Sequence, residues 1–189
     1  MKQLIVLADW AADALSLHDF QTAVSGYIEH DMFPQITFLH AELNSFETGF
    51  LLAQMVYTQE RLGRPQETVY YVGSDLCALY ATHGLVQDHE LPEQPPISYD
   101  AVVRMASGIH IVTPTIGYTL SFLQEKIHHL FQYQETITSN RFVPRDAHAR
   151  VCAHLMQAQE DEMDFEELHQ SSIPRVYDHY VTHTNAQGH

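Results

Sequence analysis

The chain has 189 residues, 45% of them hydrophobic, and its 9 Lys and Arg against 24 Asp and Glu leave a formal net charge of −15. That length fits one domain with a substantial core, and so acidic a surface repels phosphate backbones, which argues against nucleic acid as a partner. No run of about 18 apolar residues occurs, so no membrane span is expected. The N-terminal apolar run ends too soon, at Asp9 and Trp10, to be a signal peptide, which points to the cytoplasm.

Leu4–Ala8 is a continuous apolar run, the pattern of a strand buried on both faces. Phe20–Glu29 has helical spacing, with Phe20, Val24 and Ile28 on one face. Beyond Pro34, Ile36–Leu39 reads as a second strand. Ser45, Glu47 and Thr48 open a helix that runs to about Arg61 and stops at Gly63-Arg64-Pro65. Thr68–Val72 is a third strand, β-branched and aromatic. Gln87–Ser98, with three prolines and several acids, is a surface excursion. Ala101–Met105 and Ile109–Val112 read as strands joined by a Ser107-Gly108 turn, Gly117–Gln124 as the start of a helix, and Ile127–Gln132 as a strand. Pro144 to about Ala158 reads as a helix with Val151, Leu155 and Met156 inward. Gln159–Glu167 is acidic and solvated, Arg175–Val181 a last strand, and 183–189 a disordered tail after a domain spanning 1–182. Strands alternating with helices predict a single α/β domain, its sheet mostly parallel and flanked by helices.

Ligands of open α/β sheets bind outside the carboxyl ends of the strands. The strand, turn and helix start at Gly108–Leu123 therefore marks a position for a site. Asp9 closes the first strand, and its carboxylate is a bidentate acceptor suited to two ribose hydroxyls; a turn or cap acid is the alternative. Asp75 follows the third strand, where an acid can orient water or stand as a solvated turn residue. Thr115 can supply one hydrogen bond, while Ile116 packs. Arg145-Asp146 stands at a helix start, where such a pair also serves structure. Fourteen histidines invite a metal hypothesis. His128 and His129 would point apart on a strand, His148 and His154 would be separated on a helix, and neither H-E-x-x-H nor a Cys/His cluster occurs, so no metal is expected. Cys77 and Cys152 give no disulfide framework, and Cys77 lacks an obvious His partner.

Several blocks, in order, resemble the S-adenosyl-L-methionine hydroxide adenosyltransferases and the fluorinase and chlorinase halogenases grouped with them. Ile5–Ala11 is similar to the family's opening strand ending in T-D-F-G, and Phe20–Ile28 to its first helix. Phe38-Leu39-His40 with Glu47–Leu52 is similar to D-I-T-H and E-A-A-F-L-L. Thr68–Asp75 resembles the strand ending in D-P-G-V-G, Ile109–Leu120 resembles F-V-A-P-D-N-G-L-L, and Phe142–Leu155 resembles F-H-G-R-D followed by A-A-H-L.

The resemblance implies the family's α/β N-terminal domain, its usual trimer, and S-adenosylmethionine as substrate with no separate cofactor. It implies ribose binding by Asp9 and water orientation by Asp75, with Thr115, Arg145 and Asp146 beside the ligand. It also exposes gaps. Thr82 and Val143 stand where the family has the Arg and His of its Asp-Arg-His set, Leu76-Cys77-Ala78-Leu79 replaces its glycine-rich turn, and Thr115-Ile116 replaces D-N. The family's C-terminal β-barrel domain, which completes the adenine pocket of a neighbouring subunit, has no counterpart here. Two functions follow as expectations: a divergent S-adenosylmethionine- or adenosine-binding protein converting S-adenosylmethionine and water to adenosine and methionine, or a non-catalytic ligand-sensing or oligomeric interaction module.

Overall fold

Runs of Leu, Val, Ile and Tyr build the centre of the sheet. Thr68–Val72 (β3) is buried at every position and Gln3–Ala8 (β1) at all but its first residue, as strands covered on both faces require. The computed structural model describes residues 2–29, 33–41, 45–73, 100–115, 117–133, 144–159, 163, 165–169 and 173. Within them Ile36–His40 (β2), Asp100–Met105 (β4), His110–Pro114 (β5), Ile127–Tyr133 (β6) and Phe165–Glu167 (β7) join β1 and β3 in one sheet of order β2-β1-β3-β5-β4-β6-β7. The pairs β2-β1, β1-β3 and β3-β5 are parallel, and β5-β4, β4-β6 and β6-β7 are antiparallel. The α/β domain expected from the sequence is present, with parallel pairing in one half of the sheet and antiparallel pairing in the other.

Helices cover both faces. Ala14–Gly26 (α1) and Ala149–Gln157 (α3) set Phe20, Val24, Val151 and Leu155 against Leu4, Val6, Tyr71 and Val112. Ser45–Leu62 (α2) sets Leu52, Ala53 and Val56 against Ile5, Leu7, Tyr70 and Ile111 on the other face. Alternate residues of β1 and β3 thus feed opposite cores, the period-2 rule of a strand. Helix α1 starts earlier than its apolar spacing indicates. Asp13 caps it, accepting the Ser16 N–H at 2.9 Å and the Ser16 hydroxyl at 2.6 Å. These two bonds hold the Asp13 carboxyl below its ordinary range.

Four readings of the sequence change. Gly117–Gln124 is not a helix: tight turns close through Tyr118 O to Ser121 N at 3.1 Å and Leu120 O to Leu123 N at 3.0 Å, followed by a 3-10 turn at Gln124–Lys126. The cause is α2. A Cβ on Gly49 would stand 2.5 Å from the Tyr118 carbonyl oxygen, so the segment lies against the α2 backbone and tucks in Leu120 and Leu123 by turns. The region 144–158 opens with a π-helical turn at Pro144–His148 before α3 begins. The acidic stretch 159–167 contributes β7, in which Phe165 stacks on Phe131 of β6 with centroids 5.5 Å apart. His128 and His129 do not diverge, for their rings meet edge to face at 4.2 Å. Arg104 pairs with His129 and Met105 with Ile127, so His128 is the extra residue of a bulge, and a bulge breaks the strict alternation of side chains. The readings at 87–98, 175–181 and 183–189 lie outside the described residues.

Candidate functional site

The strand order reverses its sense at β1. The chain leaves β1 through α1 to reach β2 on one side, then crosses through α2 to β3 on the other, with α1 and α2 on opposite faces. A crevice opens at such a switch point, outside the carboxyl ends of the strands. Asp9 stands there, half-buried, as the first residue of a 3-10 turn over Asp9–Ala12. Gly73 follows β3, its N–H donating to the Leu7 carbonyl at 2.8 Å. Thr115 follows β5 and is buried. Because β4 runs antiparallel, its first residue, Asp100, pairs with Pro114 and joins the same edge.

Aromatic rings form the floor on the α1 and α3 side. Phe20 stacks on Tyr71 at 5.2 Å, and Trp10 meets Phe20 at 5.3 Å, Phe38 at 6.3 Å and Tyr71 at 6.4 Å. Gly73 admits this packing. A Cβ there would lie 2.9 Å from Trp10 Nε1 and 3.0 Å from the Tyr71 hydroxyl.

A polar chain crosses this apolar floor. The Tyr71 hydroxyl lies 2.8 Å from His148 Nδ1, and His148 Nε2 lies 3.4 Å from Asp100 Oδ1. Tyr71 and His148 are buried, whereas the Asp100 side chain is 38% exposed. Burial pushes the Tyr71 phenol well above its ordinary value, and the thiol of Cys152 and the carboxylates of Asp100 and Asp9 push it the same way. The phenol therefore stays protonated and donates to Nδ1. His148 Nε2 is buried, lies 3.4 Å from Asp100 Oδ1 and makes no hydrogen bond. Cys152, also buried, has its thiol pushed up and carries no reactive thiolate.

Of the site residues read from the sequence, Asp9 and Thr115 reach the carboxyl edge. Arg145 pairs with Asp19 of α1 at 3.3 Å and so ties the π-helical turn to that helix, the structural alternative considered for it. The Asp146 backbone belongs to the same turn; its side chain, together with Asp75, Cys77, Thr82, Ile116 and Val143, lies outside the described residues. Sequence reasoning missed Tyr71, Asp100 and His148. Tyr71 reads as core because it is core, and His148 was weighed only as a metal ligand. The π-helical turn that aims His148 inward has no sequence signature beyond the Pro144 that opens it. Among the described residues no three His, Cys, Asp or Glu side chains gather as a metal site, and no helix is long and apolar enough to cross a membrane.

An α/β domain with a topological switch between β1 and β3, and polar groups gathered at its carboxyl edge, is the class that this fold and this edge define. No protein-family model and no curated relative matches the sequence. Solved structures share the fold. An uncharacterized conserved protein from Thermotoga maritima superposes with a TM-score of 0.63 at 16% identity, over 88% of this chain and 59% of that one. A conserved hypothetical protein from Thermus thermophilus gives a TM-score of 0.60 at 11% identity, over 93% of this chain and 62% of that one. The chain thus spans less than two thirds of either neighbour.

Proposed function

We propose that the protein is a cytoplasmic, divergent S-adenosylmethionine- or adenosine-binding protein that seats its ligand at the carboxyl edge between β1, β3 and β5. The observation that carries this reading is the position of Asp9, a half-buried carboxylate at the end of β1 beside the switch point and next to the Trp10 ring. A carboxylate accepts two vicinal hydroxyls at once, and an aromatic cluster offers a face for a base. Calorimetric titration with S-adenosylmethionine, adenosine and methionine tests it. A heat of binding for the two nucleosides is expected, and none at millimolar ligand would overturn the reading. Asp9→Ala is expected to abolish adenosine binding while the protein stays folded by circular dichroism. Unchanged affinity removes Asp9 from the site.

A second reading, a non-catalytic module that works as an oligomer, has its own support on α2. Phe50, Leu51, Tyr57 and Leu62 are 53%, 40%, 40% and 68% exposed along its outer side, a concentration of apolar surface of the kind that marks contacts between chains. The trimer implied by the family resemblance is the expected assembly. Sedimentation equilibrium at micromolar protein reports it, and a monomer would count against this reading.

A further inference from the structure

The exposed residues of α2 form a stripe. At about 100° per residue, Glu47, Phe50, Leu51, Gln54, Tyr57 and Arg61 fall within roughly 120° of one another, and all of them are exposed. The inner side of the same helix is already spent on Leu52, Ala53 and Val56 against the sheet. Two of the outer rings are held before any partner arrives. Phe50 meets Phe122 edge to face at 5.8 Å, and the Lys126 ammonium lies 4.4 Å from the centre of the Tyr57 ring. Aromatic anchors fixed in this way lose little side-chain entropy on docking. The stripe carries no net charge. Glu47 and Arg61 cancel, and the Glu60 carboxylate beside them is paired with Lys126. Two copies of a chain with net charge −15 repel in most orientations, and least where the facing surfaces are neutral.

The order of residues along the stripe is self-complementary. Glu47 stands seven residues before Gln54, and Arg61 stands seven after it. Turning the helix end over end about Gln54 lays acid on base at both ends, the two ion pairs about 21 Å apart along the axis. The same operation brings Phe50 to the partner's Tyr57 and Leu51 to the partner's Thr58. The Thr58 hydroxyl is already bonded to the Gln54 carbonyl at 2.7 Å, so its burial leaves no donor unsatisfied. The two Gln54 side chains meet at the axis, and an amide offers its like both a donor and an acceptor. We propose that this face is an interface between two copies of the chain, docked antiparallel along α2 about a two-fold axis at Gln54. The proposal rests on the second reading above and deepens it, for it says which contact joins the copies and with what symmetry. A ring of three needs a different, heterologous contact, so pairing through α2 gives a dimer, or a hexamer where trimers are paired.

Sedimentation equilibrium of the full chain at micromolar protein tests the pairing, with circular dichroism as the check on folding. Wild type is expected to be a dimer or a hexamer. Arg61→Glu sets acid against acid at both ends and is expected to raise the dissociation constant of the pair about tenfold or more. Glu47→Arg sets base against base, with the same expected effect. Glu47→Arg combined with Arg61→Glu restores opposite charges, and its dissociation constant is expected within about threefold of wild type. Gln54→Cys is expected to give a disulfide-linked pair under mild oxidation, because facing Cα atoms of packed helices come within disulfide range. Arg61→Cys, whose two copies would stand about 21 Å apart, is expected to give none above the wild-type background. A double variant no tighter than the single ones overturns the antiparallel register. A trimer that ignores both charge reversals, and in which Gln54→Cys does not cross-link, overturns the two-fold pairing and leaves the second reading standing. A monomeric wild type overturns both.

Discussion

At Gly73 the missing side chain is what lets two others meet. The Trp10 indole nitrogen and the Tyr71 hydroxyl both lie about where a Cβ would need to be, at 2.9 and 3.0 Å. Neither is the free end of a flexible chain, since both rings are held in the aromatic cluster with Phe20. Gly73→Ala is therefore expected to destabilise the protein by about 1–3 kcal/mol through overpacking. Urea unfolding followed by the fluorescence of Trp10, the one tryptophan of the chain, measures it. A loss below about 0.5 kcal/mol, within the range of an ordinary surface change, would show that the rings move aside. Residues at this scale differed in legibility. Asp9 was visible because an acid closing an apolar run is a local pattern. His148 was not, because its role depends on Tyr71 and Asp100, both remote in sequence, and on a turn one residue wider than an α-helix.

Elements were legible where one periodicity ruled. The run Thr68–Val72 is β3 to the residue, and the helix read from Ser45 to Arg61 is α2, Ser45–Leu62. The β4–β5 hairpin was legible from Ser107-Gly108, because glycine alone adopts a left-handed backbone at little cost. Gly108 has φ +89°, and its N–H donates to the Met105 carbonyl at 2.9 Å. Gly108→Ala is expected to cost about 1 kcal/mol or more, chiefly from backbone strain. The nearest obstacle to its Cβ is Gln66 Cγ at 2.9 Å, part of a side chain that can swing away. The urea midpoint reads this out, and an unchanged midpoint would mean that the turn accommodates a side chain by changing type. The segment 117–126 failed the same kind of reading because its conformation is imposed from outside. Its backbone lies against Gly49 of α2, and Lys126 is drawn to Glu60 and over the Tyr57 ring of that helix.

Taken whole, the molecule carries 24 acids against 9 basic residues. Self-repulsion at that imbalance weakens the compact state, and salt screens it. Raising ionic strength from about 0.01 M to about 1 M shortens the screening length from about 30 Å to about 3 Å. The urea midpoint at neutral pH is expected to rise over that range, with sodium chloride as the salt, and a flat or falling midpoint would show that repulsion is not a limiting term.

By itself the sequence determined the α/β class, most strands and helices, and the presence of Asp9 and Thr115 at strand ends, because burial on one or two faces writes a period into neighbouring residues. It could not determine the antiparallel pairing of β6 with β4 and β7, the turns at 117–126 or the bulge at His128, since each is set by a partner strand or helix far along the chain. The Gly108–Leu123 stretch illustrates both sides: its strand and glycine turn were readable, and the conformation after the turn was not. Only the tertiary structure brought Tyr71, Asp100 and His148 into one line. Hydrogen bonds and packing contacts act over a few ångströms in space, and the sequence holds no record of which distant residues will come that close.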